Sequence, residues 1–386
     1  MDSSHYYCLR EPAHEIRLLN GGNTREVRPV RVLRELRQAL EIDQNQVGLF
    51  WLMEHLRFTR ATFAQDQIYS LLGVCNLREA AVTLVRYDLE SEEVYKRSAM
   101  LHADVHGDLG FLSLCAPEQR DTLCSGSPGA PVLRTFAGPS WVPNWHSPKL
   151  RRCLGLSHID HEESFFNVSE AVPFKSSFEG EQLTVSGVMI DKIRSIADFC
   201  PRDRALDFSD ANSNLYQQYL DFWMTPVDEP APYSDAVNRA ESFIRTLSLV
   251  GIYLEPVTSP DDVPPIFYCW CSGSALCKQL EAYGFKPKSS GTRPEQKAFI
   301  RMKRLVSWDP FITFKGYMGL GREGAAIGDE IWLIGGCSTP VLLSPSTGGP
   351  LRYEVKGEVL LDGYMFKGQF AESIQQDSKI ERIDLV

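Results

Sequence analysis

Six residues, Gly319-Leu320-Gly321-Arg322-Glu323-Gly324, carry the Gly-x-Gly-x-x-Gly spacing that can cradle a dinucleotide pyrophosphate. That chemistry needs a strand running into the loop and a helix leaving it. The anion is held by the unpaired N–H groups and positive dipole end of the helix. FITFKGYM, before the glycines, could supply the strand. AAIGDEIWLIGG, after them, cannot supply the helix, because Gly328 and Asp329 interrupt it within a turn and Ile331–Ile334 read as strand. The acidic residue that would bind a ribose, about twenty residues on, is missing, since that region is TPVLLSPST. No Lys-Ser or Lys-Thr pair follows the glycines, which removes the phosphate loop of ATPases. The glycines are therefore expected to serve tight turns and bulges, and no cofactor is expected.

Other residue types that could do chemistry give weaker signals. His102 and His106 stand four apart on an expected helix, a spacing that can hold zinc. No Glu follows His102, and neither Asp104 nor Asp108 completes a site, so a surface or capping role is expected. HIDHEE, with His158, His161, Glu162 and Glu163, could bind a divalent cation but reads better as a solvated charge cluster. Cys269 and Cys271 lack the two-residue spacer of a zinc knuckle, and Cys277 supplies no fourth ligand. There is no Gly-x-Ser-x-Gly elbow. All eight histidines lie before residue 162, which leaves no catalytic histidine for the C-terminal region. No catalytic or metal residue is assigned. Trp141 and Trp145, with Pro139 and Pro143 in GPSWVPNW, could act as a Pro-motif ligand. The plainer reading is that both rings anchor an extended segment against the core.

The elements that must position these residues belong to a chain of 386 residues, long enough for two or three domains. Apolar residues make up 43% and charged residues 23%, an ordinary globular balance. The net charge of −10 repels phosphate backbones and anionic lipid, so neither nucleic acid nor a membrane surface is an expected partner. The N-terminus is polar and mixed in charge, unlike a signal or transit sequence. VGLFWLMEHL, the longest apolar stretch, is too short to span a bilayer. A soluble cytoplasmic protein is expected, with its ten cysteines mostly buried thiols.

The pattern predicts an α+β fold, a helical N-terminal half followed by a β-rich C-terminal unit that could close as a small barrel. Residues 1–112 read as a helical segment, 113–150 as loop or linker, 151–300 as a mixed α/β region and 301–386 as the β-rich unit. Helical spacing runs through Val30, Val32, Leu33, Leu36 and Leu40. Two helices are expected in WLMEHLRFTRATFAQDQIYSLLGV, with Asp66 as N-cap of the second and Gly73 in the C′ position. Ser91 is expected to cap a helix with Glu92 and Glu93 in its first turn and Val94, Leu101 and Val105 as its apolar stripe. FFNVS and EQLTVSGVMIDKI read as strands, and 211–252 as a helical tract with Tyr219, Phe222 and Phe243 on its apolar turns. RYEVKGEVLL alternates from Arg352 to Val359, placing Arg, Glu, Lys and Glu on one face. That predicts a half-buried antiparallel strand, with DEIWLI and PVLLSP as neighbours.

Three ordered blocks resemble one family, the fungal heterokaryon incompatibility (HET) domain proteins. RATFAQDQIYSLLGV with RYDLESEEVY is similar to the family's Arg-x-Ala-Thr-Asp-Pro-Arg-Asp-x-Val-Tyr-Ala-Leu-Leu-Gly segment and its continuation. Arg60, Asp66, Tyr69 and Gly73 are among the matches, and Phe63-Ala64-Gln65 departs from the usual Asp-Pro-Arg. GPSWVPNW resembles the Leu-Pro-Ser-Trp-Val-Pro-Asp-Trp signature through Pro139, Trp141, Pro143 and Trp145, with Asn144 in place of Asp. GYMGLGREGAAIGDEIWLIGG with YEVKGEVLL resembles the C-terminal pattern through Gly316, Gly319, Gly321, Gly328, Asp329, Gly357 and Glu358. The resemblance implies that these residues are structural and that the protein acts through other proteins in non-self recognition and the cell death it triggers. The block that usually opens the domain, Tyr-x-Ala-Leu-Ser-Tyr-x-Trp-Gly, does not occur here. The resemblance then implies a shortened member holding only the trailing helices of the HET domain. An enzyme with a pocket between the halves, acting on a nucleotide or in secondary metabolism, and a non-functional remnant remain as alternatives.

Overall fold

A computed structural model describes residues 48–56, 61, 63–73, 75, 84–115, 121–124, 132–145, 172–197, 218–225, 232–233, 235–250, 278, 282, 308–322, 324–365 and 379–386. The helical stripe expected at 30–40, FFNVS, HIDHEE and Cys269, Cys271 and Cys277 lie outside the described residues, as does Arg60. The fold is mixed α+β, and no described helix is long and apolar enough to cross a membrane.

Helix α1 (Leu49–Leu56) buries Leu49, Phe50, Trp51, Leu52 and Met53 in succession, so it is a core helix with no wet face along that run. Helix α2 (Asp66–Tyr69) is a single turn. Asp66 is not its N-cap, as the sequence led us to expect. Turn-type hydrogen bonds from Asp66, Gln67 and Ile68 back to Phe63, Ala64 and Gln65 already satisfy the leading amides. That leaves the Asp66 carboxylate for another partner. Nor is Gly73 a C′ glycine, because the turn ends at Ser70 in right-handed geometry.

Helix α3 (Ser91–His106) follows, with Glu92 and Glu93 in its first turn. Glu90 stands at the cap, and Ser91 is the first helical residue, its hydroxyl donating to the Glu92 carboxylate at 2.7 Å. The helix ends where Gly107 turns left-handed and returns its amide to Ala103. Its buried face is Val94, Tyr95, Ser98, Ala99, His102 and Ala103, rotated from the expected stripe. Leu101 is only half-buried and Val105 is exposed, because small residues and His102 admit the rings of Phe50 and Phe111. A 3-10 turn, Gly110–Leu114, packs the chain back into the core.

Strands β1 (Asp121–Cys124) and β2 (Val132–Thr135) pair antiparallel inside the stretch expected to be loop. Apolar and Thr residues in both strands outweigh the Gly, Pro and Ser of the connection between them. The remaining strands are β3 (Ser176–Glu179), β4 (Gln182–Ile196), β5 (Trp308–Thr313), β6 (Met318–Arg322), β7 (Glu330–Ile334), β8 (Val341–Pro345), β9 (Arg352–Leu361) and β10 (Glu381–Leu385). They form one sheet in the order β10-β4-β5-β6-β9-β8-β7, with β3 on β4 and further pairings β10–β9 and β4–β7. Among the registers described, β10–β9 is parallel and the others are antiparallel. PVLLSP, as β8, pairs with RYEVKGEVLL in β9 as expected, whereas DEIWLI in β7 pairs with β8 and β4.

The described residues form two compact units. The larger contains the residues up to Lys192, Arg322–Val359 and Gly363–Val386. Its core gathers α1, α3 and the inner faces of β4, β7, β8, β9 and β10 around Trp141, Trp145 and Trp332. The smaller contains Ile193–Gly321 and Leu360–Asp362. There Tyr219, in a helical stretch at 218–223, donates its hydroxyl to the Trp308 carbonyl at 2.9 Å. Trp223 meets Phe243 of helix α4 (Ala236–Val250) edge-on.

Candidate functional site

The glycines that opened the sequence reading sit in a strand and a turn. Gly319 and Gly321 lie within β6, where a Cβ on Gly319 would collide with the Phe311 ring and the Leu360 carbonyl oxygen. Gly316, Gly324 and Gly328 take left-handed φ angles at turns. No helix starts at Ala325. The Ala325 amide turns back to Arg322, the Asp329 amide turns back to Ala326, and β7 begins at Glu330. Asp329 fixes this turn by accepting the Ala326 amide at 2.8 Å. Burial holds its carboxyl above the ordinary value, against the hydrogen bonds of Ser344 and Ala326 and the charge of Lys356.

Strand β9 departs from its sequence pattern at Gly357. Tyr353 and Val355 are buried while Glu354 faces water, but from Gly357 onward every residue of the strand is buried. The register explains the change. Leu343 opposes Val355 whereas its neighbour Leu342 opposes Gly357, so β9 carries one extra residue. Gly357 holds the bulge with φ 97°, and a Cβ there would lie 2.7 Å from the Cys115 carbonyl oxygen. Glu358, expected on the wet face, is thereby placed inside the protein. Its carboxylate meets the guanidinium of Arg322 directly, with side chains 0% and 4% exposed. Arg322 is the residue the glycine spacing left unassigned. The pair neutralises itself, so this cation is engaged rather than offered to an anion.

The Trp signature is a clamp. Trp141 is fully buried and donates its indole N–H to the Glu181 carbonyl at 2.9 Å; Trp145 stacks on Phe50. Pro139 and Pro143 are buried with them. Ser140 ties β9 to the residue that follows β10. Its amide and hydroxyl both donate to the Val386 carbonyl, and its hydroxyl accepts the Val355 amide at 2.9 Å. The sequence reading passed over Ser140 because its partners, Val355 and Val386, stand more than 200 residues away.

The first signature block builds a different kind of surface. Asp66 accepts the hydroxyl of Tyr87 at 2.7 Å, while Tyr69 donates to the Arg86 carbonyl at 2.8 Å and accepts its amide at 3.1 Å. Tyr87 was missed because its partner stands 21 residues away. His102 is buried, correcting its expected surface role. Its Nε2 lies 3.2 Å from Asp108, and Nδ1 is buried without a hydrogen-bond partner. His106 lies beside it with a depressed pKa, caused first by burial and then by His102. A carboxylate–imidazole contact of this kind can orient a catalytic base. Ser113, however, bonds Thr339, and the buried Cys337 thiol is pushed well up by burial. Among the described residues no group of His, Cys, Asp and Glu has the arrangement of a metal site.

No family model matches the sequence, and no curated protein or solved structure matches it.

Proposed function

We propose that the chain acts as a HET-type protein in fungal non-self recognition, taking part in cell-death signalling through protein contacts in the cytoplasm. The observation that carries this reading is the order of three signature blocks in one sequence: RATFAQDQIYSLLGV, GPSWVPNW, and GYMGLGREGAAIGDE with YEVKGEVLL. The described signature residues also do the work that a structural signature requires. Ser140 fastens β9, Trp141 fastens the β3–β4 turn, Gly319 admits a ring, Gly357 forms a bulge and Glu358 neutralises Arg322. The pairing of β4 with β7, at the far end of the strand path, supports reading the C-terminal sheet as a small closed barrel.

Expression in a fungal host tests the reading, with the chain produced alone and together with a protein that has a complete HET domain. Growth arrest or death in either case is the expected result. Unchanged viability in both, with the protein present and folded, contradicts a signalling role.

A further inference from the structure

Three rings lie together at the first signature block. Phe63 is 59% exposed and Tyr87 62% exposed. The Phe63 and Tyr87 centroids are 6.4 Å apart and those of Tyr69 and Tyr87 5.2 Å, both edge-on. Exposed aromatic rings normally swing on their side-chain torsions, but Tyr87 is tied, as is the half-buried Tyr69 beside it. Tyr87 is fastened to Asp66, and Tyr69 to both backbone groups of Arg86. Gln65 adds a bond from its side-chain amide to the Leu89 carbonyl at 2.9 Å. The polar tips of both tyrosines are therefore satisfied within the chain, while apolar ring surface remains in water. A partner docking there would immobilise little that is not already fixed, which is what makes rigid aromatic rings strong anchors.

The rim is mixed in charge but net acidic. Asp66 bonds Tyr87, and Asp88 and Glu90 follow Tyr87 in sequence, against the cation of Arg86. The nearest described cation, Arg86, is bound to Asp88, so it is engaged locally. The whole chain is acidic as well, at −10. Carboxylates around aromatic faces suit an arginine or lysine, whose cation is drawn both to the ring face and to the acid. An acidic or phosphorylated segment would be repelled, and a purely apolar one would strip water from the carboxylates without replacing it.

We propose that Phe63, Tyr69 and Tyr87, rimmed by Asp66, Asp88 and Glu90, are a docking surface for a basic, extended segment of a partner protein. This rests on the reading that the chain works through protein contacts, and it gives the chemical class of the partner.

Fluorescence anisotropy of the full-length protein with two labelled peptides tests it, one of alternating arginine and serine, the other of alternating glutamate and serine. The arginine peptide is expected to bind, and to bind more weakly as salt is raised. Phe63→Ala and Tyr87→Ala should each weaken it roughly tenfold, and Asp66→Asn by less. Phe63→Ala removes no hydrogen bond described for this residue, so its melting curve should match the wild type. Failure of the arginine peptide to bind overturns the proposal. So does equal binding of the glutamate peptide, or arginine-peptide binding that both ring variants leave unchanged. The assay needs no cell, so its failure leaves the viability experiment intact, and a viability failure leaves the binding result intact.

Discussion

Around Gly357 a pair of opposite charges is hidden from water, whereas around Tyr87 two aromatic rings, Phe63 and Tyr87, are held out in it beside the half-buried Tyr69. Both regions lie in stretches that carry the proposed family resemblance, yet they oppose the usual placement of charge and ring in opposite ways. A charge inside costs desolvation, which an opposite charge buried beside it offsets, so Arg322 and Glu358 act as a unit. A ring outside keeps apolar surface that folding does not bury, and at Phe63 and Tyr87 we assign that surface to a docking partner. The comparison separates residues that hold the structure together from residues available for contacts.

Removing one charge should break the buried side most severely. Arg322→Met or Glu358→Leu alone is expected to lose about 3–5 kcal/mol, because the remaining ion stays buried without the opposite charge it now faces. The double variant should recover most of that loss, read as unfolding midpoints by near-UV circular dichroism. If each single variant costs no more than the double, the two charges are not coupled. Ser140→Ala should cost less, about 1–3 kcal/mol, since the Val355 amide loses its described partner. Denaturant unfolding measures it.

Lowering the pH should act through the helix that leads away from the exposed rings. Burial and the neighbouring His102 depress the His106 pKa, so the folded state resists its protonation. Its contribution to stability is present above the ordinary 6.5 and is lost as the pH falls through the depressed value. His106→Gln should flatten that acid limb in melts taken across the range. The smallest effect is expected on the exposed side. Phe63→Ala should change stability by no more than about 0.5 kcal/mol, although it should weaken binding of a basic peptide.

Much of the framework was legible because it depends on local pattern. The interruption at Gly328 and Asp329 ruled out a phosphate-binding helix, and the strand after it is present. DEIWLI, PVLLSP and RYEVKGEVLL became neighbouring strands because their apolar residues and turns agree. The failures share a cause, which is that the deciding partner is distant in sequence. Alternation in β9 assumed an unbroken pleat, but its parity changes at a bulge fixed by the register of β8, so Glu358 was expected in solvent and is buried. Asp66 has the capping propensity of its type, yet turn hydrogen bonds replaced the cap and Tyr87 took the carboxylate. The stripe of α3 was drawn through apolar residues alone, so it skipped His102, which is buried against Phe50.

Growth of fungal cells producing the wild-type chain or its Phe63→Ala/Tyr87→Ala variant, at equal protein level and equal melting temperature, tests the division between scaffold and contact surface most directly. Arrest by the wild type that is lost in the variant is the expected result. Equal growth arrest by both would mean that the contacts are made elsewhere.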